Sequence, residues 1–216
     1  MSAVFVKTYP ASPFCDREIL RYAGVKGEAD EQTLALMNGL KAEIADRLSY
    51  KVCYRVFPVN TQGDICDFSE FSVQSQMLAN RLKACKRAVV FSATLGVEID
   101  RAILKYSKIS PVKALFLQAI GTERIESLCG AFCADLPLAT ARFSPGYGDL
   151  PLQTQTEIFA LLDCERKIGL TLTESLLMSP TKSVTAFVGL ADKACVRTET
   201  GCSTCAKMDC AFRSEL

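Results

Sequence analysis

The sequence predicts an α+β fold, a mixed or antiparallel twisted sheet flanked by helices, and three observations carry that prediction. Stretches with apolar residues at helical spacing are interleaved with short runs rich in β-branched and aromatic residues. Their order is mixed and lacks the strict alternation of strand and helix that builds a parallel sheet. At 216 residues and 49% hydrophobic, the chain can bury one substantial core. One main domain is expected over residues 1–194, followed by a cysteine-rich tail at 195–216.

Taken in order, DREILRYAG (16–24) predicts a short helix stopped by Gly24. ADEQTLALMNGLKAEIADRLS sets Leu34, Met37, Leu40, Ile44 and Leu48 three or four residues apart, which makes one apolar face of a second helix. KVCYRVFPV (51–59) alternates and predicts a strand ending at the polar turn NTQGD. FSVQSQMLANRLKACK has helical spacing through Val73, Met77, Leu78 and Leu82, and RAVVFSATLG (87–96) predicts a second strand. Two further helices are expected over 97–107 and 111–135, the second opened by Pro111. Residues 136–152 break all periodicity, after which TQTEIFALLDCERKIG predicts a helix ending at Gly169. TLTESLLMSP and SVTAFVGLA predict two strands joined near Pro180.

Composition excludes several function classes. With 25 basic and 24 acidic side chains, there is no net field to hold a nucleic acid or an anionic membrane. The longest apolar runs fall short of the roughly 20 residues a bilayer crossing needs. The opening residues carry no secretory signal pattern, so a cytoplasmic location with reduced thiols is expected. No histidine is present, which removes the usual near-neutral proton shuttle and every Ser-His, Cys-His or His-metal arrangement.

The stretch RFSPGYGDLP (142–151) joins a permanently charged arginine to a proline-glycine bend and a tyrosine. The Arg142 guanidinium is a planar fork matched to a carboxylate or phosphate. Pro145 restricts the backbone, Gly146 permits close approach, and Tyr147 adds a flat face with a polar tip. Such a loop can clamp a small zwitterion. On residue types alone it also reads as a tight surface turn whose arginine pairs with a nearby acid.

Over a longer span, RFSPGYGDLP followed by TEIFALLDCERKIGLTLTESLLMSPTKSV resembles the activation domain of cobalamin-dependent methionine synthase. SATLGVEIDRAI and QAIGTERIESLC resemble shorter, free-standing relatives of that domain, extending the similarity over residues 16–190. The resemblance implies binding of S-adenosylmethionine. Arg142 then holds the methionine carboxylate, Ser144, Gly146 and Tyr147 approach the nucleoside and amino-acid portions, and Glu126 lies near the cationic end. Glu174 and Ser175 are expected on a strand near the site, and Asp16 is a candidate for an acidic contact near the start. The family's long form carries a further tyrosine-bearing segment after the Ser-Val strand, and here FVGLADKACVRTETGCSTCAKMDCAFR replaces it.

The function so implied is reductive reactivation, the remethylation of cob(II)alamin carried by a separate methionine synthase that lacks its own activation domain. An electron donor such as a flavodoxin or ferredoxin would serve it. The expected role is an accessory protein more than an autonomous enzyme. Cys195, Cys202, Cys205 and Cys210 supply four thiolates that can close a zinc site or ligate an iron-sulfur cluster; a redox thiol pair and an unliganded tail are the alternatives. The other cysteines, including Cys53, Cys85, Cys129, Cys133 and Cys164, read as small core residues. Two competing functions are a zinc- or iron-sulfur-binding adaptor with no catalysis and a self-contained methyltransferase. The second lacks the usual glycine-rich fingerprint.

Overall fold

The structure, a computed structural model, describes residues 3–191. In chain order its elements are β1 (Phe5–Thr8), α1 (Asp16–Tyr22), α2 (Glu31–Ile44), β2 (Lys51–Pro58), β3 (Asn60–Gln62), β4 (Ile65–Asp67), β5 (Ser72–Gln74), α3 (Gln76–Leu82), β6 (Cys85–Thr94), α4 (Glu98–Ile109), α5 (Pro111–Ala134), α6 (Thr154–Leu162), α7 (Cys164–Ile168), β7 (Thr171–Leu172), β8 (Met178–Ser179) and β9 (Ser183–Ala191). The main sheet has the order β1-β2-β6-β9 and is antiparallel throughout. The fold class is therefore α+β with its helices on both faces of an antiparallel sheet.

Both faces are buried because the inner strands β6 and β9 carry apolar residues on both of their faces, and period-two alternation sends successive residues to opposite cores. Val89, Phe91 and Ala93 of β6, with Ala186, Val188 and Leu190 of β9, enter one core against α1, α2, α4 and α5. Ala88 and Val90, with Phe187, enter the other against α3, α6, α7 and the small β3-β4-β5 sheet. α5 is the long central helix, with Pro111 at its first turn, where a missing N–H costs nothing. Its buried residues include Phe116, Leu117, Ile120, Ile125, Leu128 and Phe132. Cys53, Cys85, Cys129 and Cys164 are buried and Cys133 is half-buried.

Four local expectations are corrected. The predicted helix over FSVQSQMLANRLKACK starts only at Gln76, because Val73 pairs with Cys66 in a β4-β5 hairpin and Ser75 is the N-cap, its Oγ accepting from the Leu78 N–H at 3.0 Å. NTQGD is more than a turn, since Gly63 at φ +63° closes a hairpin of β3 and β4. The helix expected to run to Gly169 is two helices, broken where Asp163 takes a left-handed conformation, which aspartate tolerates better than most residues. TLTESLLMSP is not one strand. β7 and β8 pair across a turn that contains Glu174 and Ser175, with the Leu177 N–H donating to Thr173 Oγ1 at 3.0 Å. β1 was not anticipated; it pairs with β2 as an exposed edge.

The outer edge of β9 is covered by residues 139–143, which bridge to it at Ala139–Leu190 and Phe143–Phe187. Gly189 permits this approach. A Cβ there would lie 2.6 Å from Cys85 Sγ, 2.9 Å from Leu82 and 3.1 Å from Thr140. Gly189→Ala should therefore destabilise the domain by about 1–3 kcal/mol through overpacking, read as a lower denaturant midpoint. An unchanged midpoint would mean that the edge has room for a methyl group at residue 189.

A candidate ligand site at the edge of the sheet

Phe143 is fixed to β9 by reciprocal backbone hydrogen bonds with Phe187, both 2.9 Å. Its side chain enters the core on the α3 side, so the preceding residue, Arg142, faces the other way, toward α5. There its guanidinium forms an ion pair with Glu126 beside Cys129 and Cys133. Burial works against its charge, the adjacent Glu126 carboxylate favours it, and the arginine pKa stays above its ordinary value. Burial likewise pushes the Cys129 thiol up to about 12, keeping it a neutral core group.

Past Phe143 the chain turns around the edge of the sheet. Tyr147 N–H donates to Ser144 O at 3.2 Å, Gly146 N–H to Leu150 O at 2.9 Å, and Leu150 N–H to Tyr147 O at 3.1 Å. Gly146 and Gly148 have φ of +86° and +56°, a region that glycine enters without strain. Ser144 is half-buried, and Tyr147 is 69% exposed. The loop docks on the N-terminus of α3. Asp149 accepts from Ser75 Oγ at 2.5 Å and from Gln76 N–H at 2.7 Å. The Ser75 hydroxyl, with the Gln76 and Met77 N–H groups, holds the Asp149 carboxyl below its ordinary value, so it is ionised across the neutral range.

Beside the Arg142–Glu126 pair lies an open pocket of about 180 Å³ lined by Glu18, Tyr22, Glu123, Glu126 and Ser127. Sites that engulf a small ligand usually span roughly 300–1,000 Å³, so this one accommodates only an end of a larger molecule. Its three carboxylates are each paired, Glu18 with Arg21, Glu123 with Arg124 and Glu126 with Arg142, so a cationic end enters by exchanging with one of these arginines, beside the Tyr22 ring. A wider recess of about 410 Å³ lies over β3, β4 and β5, but it contains none of the residues predicted from sequence.

Of those residues, the fold brings Arg142 and Glu126 into direct contact and sets Ser144, Gly146 and Tyr147 on the loop that follows. Arg142 and the loop tip lie on opposite sides of the sheet edge, so a ligand touching both has to lie across it. Glu174 and Ser175 sit in an exposed turn, and Asp16 is paired with Lys41 at 2.6 Å. Glu18 and Tyr22 of α1 were missed. Their signal is tertiary, arising because α1 packs on α5. Glu123 and Ser127 sit three residues before and one after Glu126, a spacing that puts Glu123 on the same helical face. Cys195, Cys202, Cys205 and Cys210 lie outside the described residues. Among the described residues, no group of three His, Cys, Asp or Glu is placed to hold a metal. No described helix is long and apolar enough to cross a membrane.

Residues 131–197 match the family model described as vitamin B12 dependent methionine synthase, activation domain. That span contains the whole loop from Arg142 to Asp149. Among solved structures, the MetH reactivation domain bound to AdoHcy is similar at 16% identity, with a TM-score of 0.63. The alignment covers 87% of this chain and 78% of that one. Over residues 131–197 the chain is similar to that activation domain. The matched segment is less than half of the chain, and at such low identity the structural likeness speaks for the shared fold alone. No curated protein matches the chain.

Proposed function

We propose that this activation-domain relative binds S-adenosylmethionine at the β9 edge and serves the reductive remethylation of cob(II)alamin on a separate cobalamin-dependent methionine synthase. The observation that carries the proposal is the contact between Arg142 and Glu126, a guanidinium and a carboxylate side by side at the start of the matched loop. A zwitterion that gives its carboxylate to Arg142 and its ammonium to Glu126 replaces one ion pair by two. The similar structure is described as bound to AdoHcy, whose amino-acid end has both charges.

The chemistry of the residues fits such a ligand. The pocket beside Glu126 takes the cationic end, the guanidinium takes the anionic end, and the exposed Tyr147 ring offers a face for the remainder. S-adenosylmethionine, when bound, supplies an electrophilic methyl group, and this chain's residues bind and orient it. Holding it toward a partner works by proximity and requires no acid or base at the methyl carbon, which suits a chain without histidine. The partner contributes the cobalamin, and a flavodoxin or ferredoxin contributes the electron. The four tail cysteines remain a proposed zinc or iron-sulfur site. Metal analysis with an anaerobic visible spectrum tests it, a sample with neither metal nor cluster arguing for an unliganded tail.

The functional test is reactivation. A partner synthase trapped as cob(II)alamin and given a reductant and S-adenosylmethionine should regain methylcobalamin only when this chain is added. Equal recovery without it would remove the reactivation role.

A further inference from the structure

We infer that Asp149 is the positioning residue that holds the Tyr147 ring at the sheet edge, and through it a determinant of affinity for the ligand proposed above; the affinity half of this inference rests on that proposal. The loop between Arg142 and Leu150 is pinned twice. The first pin is the Phe143–Phe187 backbone pair. The second is the Asp149 carboxylate, which accepts from Ser75 Oγ at 2.5 Å, Gln76 N–H at 2.7 Å and Met77 N–H at 3.3 Å.

The second pin is set in a rigid frame. Ser75 is 2% exposed, its N–H donates to Asp64 O at 2.8 Å, and its Oγ also accepts from Leu78 N–H at 3.0 Å. Gly148 lets the loop sit down on α3, since a Cβ there would fall 2.2 Å from Met77 Sδ. Between the pins, residues 144–148 carry the Tyr147 ring, which is too exposed to be held by its own packing. Its placement is therefore set by the backbone, whose internal turns at Ser144–Tyr147 and Gly146–Leu150 are fixed to α3 by Asp149.

A loop that is ordered before binding adds no ordering cost to the binding step. With Asp149 removed, that cost moves into binding and is felt only through the group the loop presents. The experiment compares S-adenosylmethionine affinity by calorimetry in wild type, Asp149→Ala, Tyr147→Ala and the double variant, with amide hydrogen exchange at Gly146 and Leu150 in parallel. Asp149→Ala should weaken binding about tenfold, and the double variant should bind no worse than Tyr147→Ala alone. Exchange at both amides should quicken.

Strictly additive losses, or wild-type affinity in Asp149→Ala, would overturn the inference, because a merely structural residue does not couple to Tyr147. If wild type fails to bind the ligand, the proposed function and the affinity half fall together, and unchanged amide exchange in Asp149→Ala would remove the positioning role as well. Should Asp149→Ala not fold, Asp149→Asn keeps the shape, loses the charge, and is judged by the same outcomes.

Discussion

Arg142→Ala should remove measurable S-adenosylmethionine binding while leaving the fold intact. Truncating one member of a hydrogen-bonded charge pair at a binding site costs about 2–5 kcal/mol, which corresponds to at least a roughly 30-fold rise in Kd. The stability cost is small by comparison. Arg142 and Glu126 are 28% and 41% exposed, and a pair that open to solvent contributes little to folding. Calorimetric titration alongside thermal unfolding separates the two effects. Tight binding retained by the variant would take Arg142 out of its assigned role. Glu126→Gln should weaken binding less, since it keeps a hydrogen-bonding oxygen and loses only the charge opposite the ammonium.

The largest expected loss of stability comes from Arg124→Ala. Arg124 has no exposed side-chain surface, and it meets the 5%-exposed Glu123 with Nε and Nη2 both at 2.5 Å. Its other bonds reach across to the chain before α1, with Nη1 donating to Ser12 O at 2.5 Å and Nη2 to Pro13 O at 2.8 Å. The guanidinium also lies over the Phe14 ring. Alanine would leave a buried carboxylate without its cation and free two carbonyls, a change that costs about 3–5 kcal/mol. In a domain of this size that lowers Tm by roughly 10 °C. Thermal unfolding measures it, with Arg142→Ala as the comparison. A shift of a degree or two would show that the clamp carries little of the fold. The clamp also bears on the site, because the segment it holds leads into α1, whose Glu18 and Tyr22 line the pocket beside Glu126.

Where the sequence was legible, a single period governed the local structure. The run RAVVFSATLG has an unbroken apolar centre, Ala88 to Phe91, and it became the inner strand β6 with both faces covered. The 111–135 pattern with its leading proline became α5 almost to the residue. Failures came where two short elements share one window. Val73 fits the helical spacing of Met77 and Leu82, yet a strand ends at Gln74 and Ser75 caps a helix between them. Asp163 carries no local sign that it will turn left-handed inside an otherwise helical pattern. The same holds for the site. Arg142 and the loop can be read from one stretch of chain, and Glu126 from its resemblance to the family. The approach of α1, which completes the pocket, is encoded by Arg124 and Glu123 reaching back to residues 12–15, and no pattern within α1 reveals it.

The central claim is that a guanidinium at the sheet edge takes the carboxylate of a sulfonium amino acid. A crystal structure of the full chain grown with S-adenosylmethionine tests it most directly. Ligand density is expected across the β9 edge, its carboxylate on Arg142, its amino group toward Glu126, and the direct bond between those two side chains opened. Density elsewhere on the protein, with the Arg142–Glu126 pair undisturbed, would contradict it.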